Sequence, residues 1–152
     1  MDNRLFRDAM GKFATGITIV TTEYNGEIMG MTVNAFMSVS LDPKLIAISI
    51  DEKARMYDKL QETKNFGLSI LTEDQKELSM IFAKQKDSDK DISYLRQDNI
   101  PVIKDSIATL SCRVKETADA GDHKIFIAEV TDVKMNGGDP VLFYNGQYHT
   151  LK

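Results

Sequence analysis

The sequence is poor in cysteine and histidine, and this shortage narrows the chemistry that the protein can perform. Its 152 residues include one cysteine, which excludes an internal disulfide framework. Two histidines and one cysteine cannot form a standard zinc site unless carboxylates supply further ligands. Cys112 lies on the apolar face of the predicted strand IATLSCRV, so we interpret it as a buried structural thiol.

Long apolar runs and clustered basic residues are also lacking. No run approaches the ~18 apolar residues that span a membrane, and the N-terminus MDNRLFRDAM has no apolar signal-peptide core. The net charge of -4 argues against a nucleic-acid or anionic-membrane surface, because such surfaces need clustered lysine and arginine. We therefore expect a cytoplasmic protein with no membrane or nucleic-acid partner, folded as a single domain over residues 1–152.

The motifs of several enzyme classes are missing too. Neither GxGxxG nor GxxxxGK followed by Ser or Thr occurs, so both common phosphate-binding loops are absent from the sequence. The zinc-protease signature HExxH does not occur either. No GxSxG is present to form the nucleophile elbow of a Ser-His-Asp enzyme. The sequence therefore argues against a hydrolase and predicts no metal site.

Residues 28–41, IMGMTVNAFMSVSL, form the most informative stretch of the chain. The odd positions are apolar and most even positions are small and polar, an alternation typical of a β-strand with one face in a core. The chain is 28% charged, yet this stretch carries no charge, which random placement would produce roughly 1% of the time. The uncharged polar face, which includes Thr32 and Asn34, predicts the wall of a polar ligand site. Phe36 interrupts this face, and the pattern assigns it no direction.

Turn signals and apolar periodicity divide the whole chain into hairpins and three helices. Asn-Gly pairs at 25–26 and 145–146 predict two antiparallel hairpins. There is no regular βαβ alternation and no internal repeat, so about seven strands are expected in a mainly β fold, an antiparallel barrel with peripheral helices. Predicted strands cover 15–23, 28–41, 45–50, 66–71, 107–116, 124–135 and a hairpin over 141–151; predicted helices cover 3–13, 53–64 and the segment after a capping box at Thr72.

Three polar features are candidates for binding. His123, in the turn AGDHK, is either a surface histidine or a donor to an anionic or carboxamide ligand. His149 occupies an ordinary strand position beside Tyr148. Asp51–Arg55 open a predicted helix whose N-terminus is either an ordinary capped end or an anion site to which Lys53 adds charge.

Five segments together carry a family resemblance. They occur in the order FRDAMGKFATGITIVTT, GMTVNAFMSVSLDPKL, LSMIFA, AGDHKIFIAEV and PVLFYNGQYHTL, and they span nearly the whole chain. In this order and spacing the chain resembles the short-chain flavin reductases, whose fold is the FMN-binding split barrel. The reductase components of two-component phenol and 4-hydroxyphenylacetate monooxygenases match best. The combination of TVNAFMSVSLDP with GDH is the specific part of the resemblance.

The resemblance implies a fold, an activity and partners. The fold would be a six-stranded Greek-key split barrel forming a homodimer. The activity would be reduction of FAD or FMN by NADH or NADPH, with hydride passing between cofactors and no acid–base residue required. Reduced flavin would then reach a separate aromatic-hydroxylating monooxygenase. A non-catalytic flavin-binding barrel and a pyridoxamine-phosphate oxidase relative remain alternative functions. The resemblance also leaves open whether the flavin is FAD or FMN, whether the nucleotide is NADH or NADPH, and whether the flavin is a prosthetic group or a substrate.

The resemblance also implies site residues. Thr32 to Ala35 would line the isoalloxazine, Ser38 to Ser40 would contact the ribityl and phosphate groups, and His123 and Tyr148 would bind NAD(P)H. Lys84 departs from the glycine found in many relatives, and either supplies a phosphate cation or begins a mobile charged loop over 84–91. The full implied cofactor-binding set is Met31, Thr32, Val33, Asn34, Ala35, Ser38, Val39, Ser40, Lys53, Ala54, Phe82 and Ala83.

Overall fold

A computed structural model describes residues 1–84 and 91–152, so most of the predicted loop over 84–91 lies outside the described residues. In chain order the described elements are α1 (Asn3–Met10), β1 (Thr15–Gly16), β2 (Thr18–Tyr24), β3 (Glu27–Val33), β4 (Phe36–Ser40), β5 (Leu45–Asp51), α2 (Arg55–Thr63), β6 (Asn65–Ile70), a 3₁₀ turn (Glu73–Gln75), α3 (Lys76–Phe82), β7 (Tyr94–Gln97), β8 (Ile100–Ile103), β9 (Ala108–Ala120), β10 (His123–Met135), β11 (Leu142–Tyr144) and β12 (Gln147–His149).

The fold is mainly β and antiparallel, as predicted. Among the described residues, seven strands form one sheet in the order β3-β2-β6-β9-β10-β5-β4. The sheet encloses a core that includes Phe66, Leu68, Ile48 and Phe126. β11 and β12 form a smaller sheet with β1, and β7 pairs only with β8. Strands β3 and β4 are therefore neighbours in sequence but lie at opposite edges of the main sheet.

The prediction of one continuous strand over 28–41 is wrong. The chain leaves β3 after Val33 and enters β4 at Phe36, because β3 pairs with β2 whereas β4 pairs with β5. The break also reverses which side chains face the core. Met29 and Val33 are buried, but Met37 and Leu41, expected on the same face, are 58% and 79% exposed. Phe36 packs against the core instead, which explains why it interrupts the polar set.

Both Asn-Gly hairpins are confirmed. Asn25 and Gly26 have φ values of 51° and 79°, and Asn145 and Gly146 have φ values of 55° and 76°. Two successive positive φ angles define the turn that matches the twist of paired strands, and Asn-Gly tolerates them best. These turns join β2 to β3 and β11 to β12.

The three helices are confirmed with shorter bounds. Asp2 caps α1, whose residues are all exposed. α2 buries Met56 and Leu60 against the core. α3 follows a 3₁₀ turn that carries the predicted capping box at Thr72. No helix in the described ranges has both the length and the apolar character needed to cross a membrane.

Cys112 is buried, as predicted, and lies within the main core. Burial raises the pKa of its thiol to about 12, because the apolar surroundings disfavour the thiolate. The residue therefore stays a neutral packing group at physiological pH.

The hairpin of β7 and β8 was not predicted. Pro101 lies in β8, and proline within a short apolar run argues against a strand unless the strand is at an edge. The hairpin packs on the main sheet, where the Thr21 hydroxyl donates to the Pro101 carbonyl at 2.5 Å. Gly67 makes this approach possible, because a Cβ at that position would collide with the Pro101 carbonyl and lie 2.8 Å from the Thr21 hydroxyl.

We predict that Gly67→Ala detaches this hairpin from the sheet. The added methyl group has no space, so we expect a loss of about 3 kcal/mol in the free energy of unfolding, measured by denaturant titration. Gly16→Ala is the matched control, because nothing lies within 4 Å of a Cβ there. Equal stability of the two variants would contradict the prediction.

Candidate functional site

A cavity of about 570 Å³ lies between β3, the start of α2 and the end of α3. This volume falls within the roughly 300–1,000 Å³ of small-molecule sites. The cavity brings together half of the implied cofactor-binding set, namely Met31, Thr32, Lys53, Ala54, Phe82 and Ala83. Its other lining residues are Glu27, Ile28, Met29, Gly30, Arg55, Met56, Ile81 and Lys84. We call this space the β3 cavity.

One wall of the β3 cavity depends on a glycine. A Cβ at Gly30 would lie 2.8 Å from Cε1 of Phe82, so the phenyl ring occupies the space that any larger residue would need. A glycine inside a predicted strand indicates a close approach of this kind, and that signal was available in the sequence. The close approach brings the end of α3 against the uncharged middle of β3.

The β3 cavity also has positive groups in its lining. Lys53, Arg55 and Lys84 all line it. Arg55 forms an exposed ion pair with Glu27 at 3.1 Å, so the carboxylate offsets one of these three charges. The backbone N–H of Lys53 donates to the Asp51 carboxylate at 2.9 Å, which fixes the turn that leads into α2.

The N-terminus of α2 contributes Ala54 and Arg55 to the lining of the β3 cavity. Its N-cap is Ala54, and no side chain of the described residues caps the helix. Uncapped N–H groups and the helix dipole favour an anion at such a position. An ordinary helix end capped by a side chain was one of the two interpretations of this segment. The described residues do not form such a cap.

A second cavity, of about 600 Å³, contains Asn34 and Ala35. It is mostly apolar, with Ile48, Ile70 and other side chains from β5, β6 and β10 in its lining. The Thr15 hydroxyl, which belongs to a lining residue, is buried without a hydrogen-bond partner among the described residues. No sequence motif indicates Thr15 or the nearby Phe13, which is 79% exposed at the same cavity.

Four residues of the implied cofactor set line neither cavity. Val33 is buried in the core, and its carbonyl accepts a hydrogen bond from the Thr18 hydroxyl at 2.7 Å. Ser38, Val39 and Ser40 lie on the edge strand β4, where Val39 is 43% exposed. These three residues follow the break at residues 34–35. They therefore lie on β4, at the opposite edge of the main sheet from β3.

His123 begins β10 and lies opposite Asp51 of β5. Its Nδ1 lies 2.8 Å from the Asp122 carboxylate, and this hydrogen bond holds the pKa of Asp122 below its usual range. Because the ionised carboxylate can only accept, we assign the proton of this hydrogen bond to Nδ1, which leaves Nε2 for a different hydrogen bond. The N–H of Glu52 also donates to the Asp122 carbonyl at 2.9 Å, which joins this turn to the segment before α2.

Tyr148 lies away from that turn, in the terminal hairpin. Its hydroxyl is 2.9 Å from the buried hydroxyl of Ser79 in α3, and its ring packs edge-on to Phe143 at 5.4 Å. Tyr148 lines a separate shallow cavity together with Lys76 and His149. His149 is exposed on β12, as expected of an ordinary strand position.

The described residues contain no group of three or more His, Cys, Asp or Glu side chains that could hold a metal ion. The functional groups that they do bring together are neutral hydrogen-bonding groups, an aromatic ring and cations.

Comparison with known proteins gives consistent matches along the chain. Residues 10–152 match the family model of the flavin reductase like domain. An NADH-dependent flavin reductase of a Rhodococcus species is 38% identical over 96% of this chain and 85% of its own length. The reductase component of 4-hydroxyphenylacetate 3-monooxygenase from Thermus thermophilus is 33% identical over 96% of this chain and 95% of its own length. The solved flavin reductase PheA2 is 55% identical, with a TM-score of 0.98 over 100% of this chain and 99% of that chain.

Proposed function

This chain belongs to the flavin reductase like domain family, and from that premise we propose that the β3 cavity is its flavin site. The protein is an NAD(P)H-dependent flavin reductase, an oxidoreductase that works with FAD or FMN. It acts as the reductase of a two-component system and supplies reduced flavin to a partner monooxygenase. The single domain that carries this activity is proposed to extend over residues 1–152.

The observation that carries the site assignment is that uncharged groups and cations line the same β3 cavity. Gly30, Met31 and Thr32 offer uncharged groups beside Phe82, which suits a flat ring system with polar edges. Lys53 and Lys84, with the uncapped α2 N-terminus, suit a phosphate. Because Lys84 lines this cavity, we favour its role as a cation for the phosphate over a role in the charged loop alone. A flavin nucleotide has both parts in one molecule.

The residues of this chain bind and orient the reactants. The bound flavin supplies the redox chemistry, by accepting hydride from the nicotinamide. Phe82 and Ala83 exclude water from the end of α3, and the cations fix the phosphate. His123 is proposed to donate or accept a hydrogen bond at Nε2 on the nucleotide, because its turn is attached to the segment that precedes α2. The resemblance also assigns Tyr148 to the nucleotide, whereas its hydroxyl lies 2.9 Å from that of Ser79, so we propose no direct contact between Tyr148 and the nucleotide.

The remaining implied contacts are proposed for a dimer. Every residue of α1 is exposed, including Leu5, Phe6 and Met10. Met37 is exposed on β4, and the exposed Leu41 directly follows this strand. Such apolar surface is typical of an interface. In a homodimer this interface would cover the cavity at Asn34.

Six further implied positions depend on this assembly. The resemblance assigns Val33, Asn34 and Ala35 to the ring, and Ser38, Val39 and Ser40 to the ribityl and phosphate groups. We propose that the enzyme works in the cytoplasm, where NADH is available.

The direct test is NADH oxidation by the purified protein with and without added flavin. We expect the rate to rise with flavin concentration, and parallel assays with FMN, FAD and NADPH identify the preferred pair. A rate that does not respond to flavin, in a protein that binds flavin, would support a non-catalytic flavin-binding barrel instead.

We predict that Gly30→Ala weakens flavin binding about tenfold, because the new methyl group displaces the Phe82 ring from the cavity wall. Flavin affinity is measured by fluorescence titration. Gly11→Ala is the control, since a Cβ at that position would meet its nearest neighbour at 3.4 Å. Unchanged affinity in a folded Gly30→Ala variant would place the flavin elsewhere.

We predict that His123→Ala raises the KM for NADH about three- to tenfold and changes flavin affinity little, because the lost hydrogen bond lies on the nucleotide. His149→Ala, which removes an exposed histidine from β12, is the control. Equal losses of NADH and flavin binding would instead give His123 a structural role in the turn.

A further inference from the structure

Ser79 connects two parts of the molecule that are distant in sequence. It is fully buried in α3, and its side-chain oxygen lies 2.9 Å from the Tyr148 hydroxyl of β12. Its carbonyl oxygen accepts a hydrogen bond from the Thr32 hydroxyl of β3 at 2.6 Å. The same carbonyl also accepts from the N–H of Ala83 at 3.0 Å. One residue therefore joins the terminal hairpin, α3 and the wall of the β3 cavity.

The bond to Ser79 determines what Thr32 can offer to a ligand. A threonine hydroxyl has one proton, and here that proton goes to the Ser79 carbonyl. The Thr32 oxygen keeps its lone pairs, so toward the cavity it can accept a hydrogen bond but cannot donate one. An oxidised isoalloxazine has one ring N–H together with several acceptors. Thr32 in this state therefore selects the N–H edge.

The terminal hairpin holds this arrangement in place. Tyr148 is fixed on its own hairpin by the edge-on contact with Phe143, and Lys76 lies 5.5 Å above its ring. Because Ser79 is buried, its hydrogen bond to Tyr148 is not replaced by water when the partner is removed. Loss of the bond would free α3 to shift against β3, and Phe82 and Ala83 at the end of α3 would shift with it.

We propose that Ser79 and Tyr148 are positioning residues for the flavin site. Through α3 they hold Thr32 as a hydrogen-bond acceptor and keep Phe82 against Gly30. This inference rests on the proposed flavin site, and it gives Tyr148 a role through Ser79 in place of direct contact with the nicotinamide nucleotide.

The test compares the two ends of the Ser79–Tyr148 bond. Ser79→Ala and Tyr148→Phe each remove it, and we expect each to raise the flavin dissociation constant about three- to tenfold. The KM for NADH at saturating flavin should change less than about twofold. The double variant should be no weaker than the weaker single variant, because both changes remove the same bond.

Matched variants separate this role from general destabilisation. Tyr144→Phe makes the same chemical change at an exposed ring of the same hairpin. Ser106→Ala removes another fully buried serine hydroxyl, which donates to the Ile103 carbonyl at 3.1 Å. Neither should change flavin affinity. Thr32→Val should weaken flavin binding, and Thr32→Ser, which keeps the hydroxyl, should restore it.

Two results would overturn the inference. One is unchanged flavin affinity in both Ser79→Ala and Tyr148→Phe. The other is a rise in the KM for NADH alone in Tyr148→Phe, which would make Tyr148 a nucleotide contact. Flavin titration measures binding and requires no turnover. A wild-type protein that fails to oxidise NADH would refute the reductase assignment, and that result is distinguishable from the two outcomes above.

Discussion

The passage of the chain from one edge of the sheet to the other at Asn34 and Ala35 is the constraint on which the structure depends. β3 ends at Val33 and β4 begins at Phe36, and these strands occupy opposite edges of the seven-stranded sheet. Three residue steps span at most ~11 Å of extended chain. The two edges must therefore lie close together, so the connection itself closes the sheet into a barrel.

Both sides of this crossing are fixed by hydrogen bonds. The Thr18 hydroxyl donates to the Val33 carbonyl at 2.7 Å, and the N–H of Ser49 donates to the Ala35 carbonyl at 3.1 Å. Among the described strands β3 pairs only with β2, and α3 packs on the face of β3 that carries Gly30 and Thr32. The β3 cavity therefore lies beside an edge strand, with α3 as one of its walls.

The sequence predicted the elements whose signals are local. The Asn-Gly turns, the capping box at Thr72 and the uncharged stretch in β3 were each readable from neighbouring residues. The division of residues 28–41 was not readable, because the alternation continues in the sequence while the pairing partner changes from β2 to β5. The β7–β8 hairpin was missed for a similar reason, since its stability comes from contacts with Gly67 and Thr21 that are distant in sequence.

Part of the candidate site was likewise predictable from the sequence, and part was not. The family motifs predicted site residues that meet in one cavity, among them Met31, Thr32, Lys53 and Phe82. Composition and alternation alone predicted only a polar ligand face on the strand. The role of Ser79 had no local signal, because a serine in an amphipathic helix carries no information about a tyrosine sixty-nine residues later. Contacts of that separation become visible only when the chain has folded.

The β3 cavity combines an uncharged wall with cations, which allows phosphate binding and redox chemistry to be controlled by different residues. An uncharged wall at Gly30 and Thr32 avoids the cost of burying a charge beside the main sheet. Lys53 and Lys84 are exposed, and salt screens interactions between exposed charges and groups farther than ~8–10 Å away. The cations therefore stabilise a phosphate strongly and a distant ring weakly. A fixed charge at the ring would favour one redox state, whereas a neutral wall suits a flavin that must both accept electrons and release them.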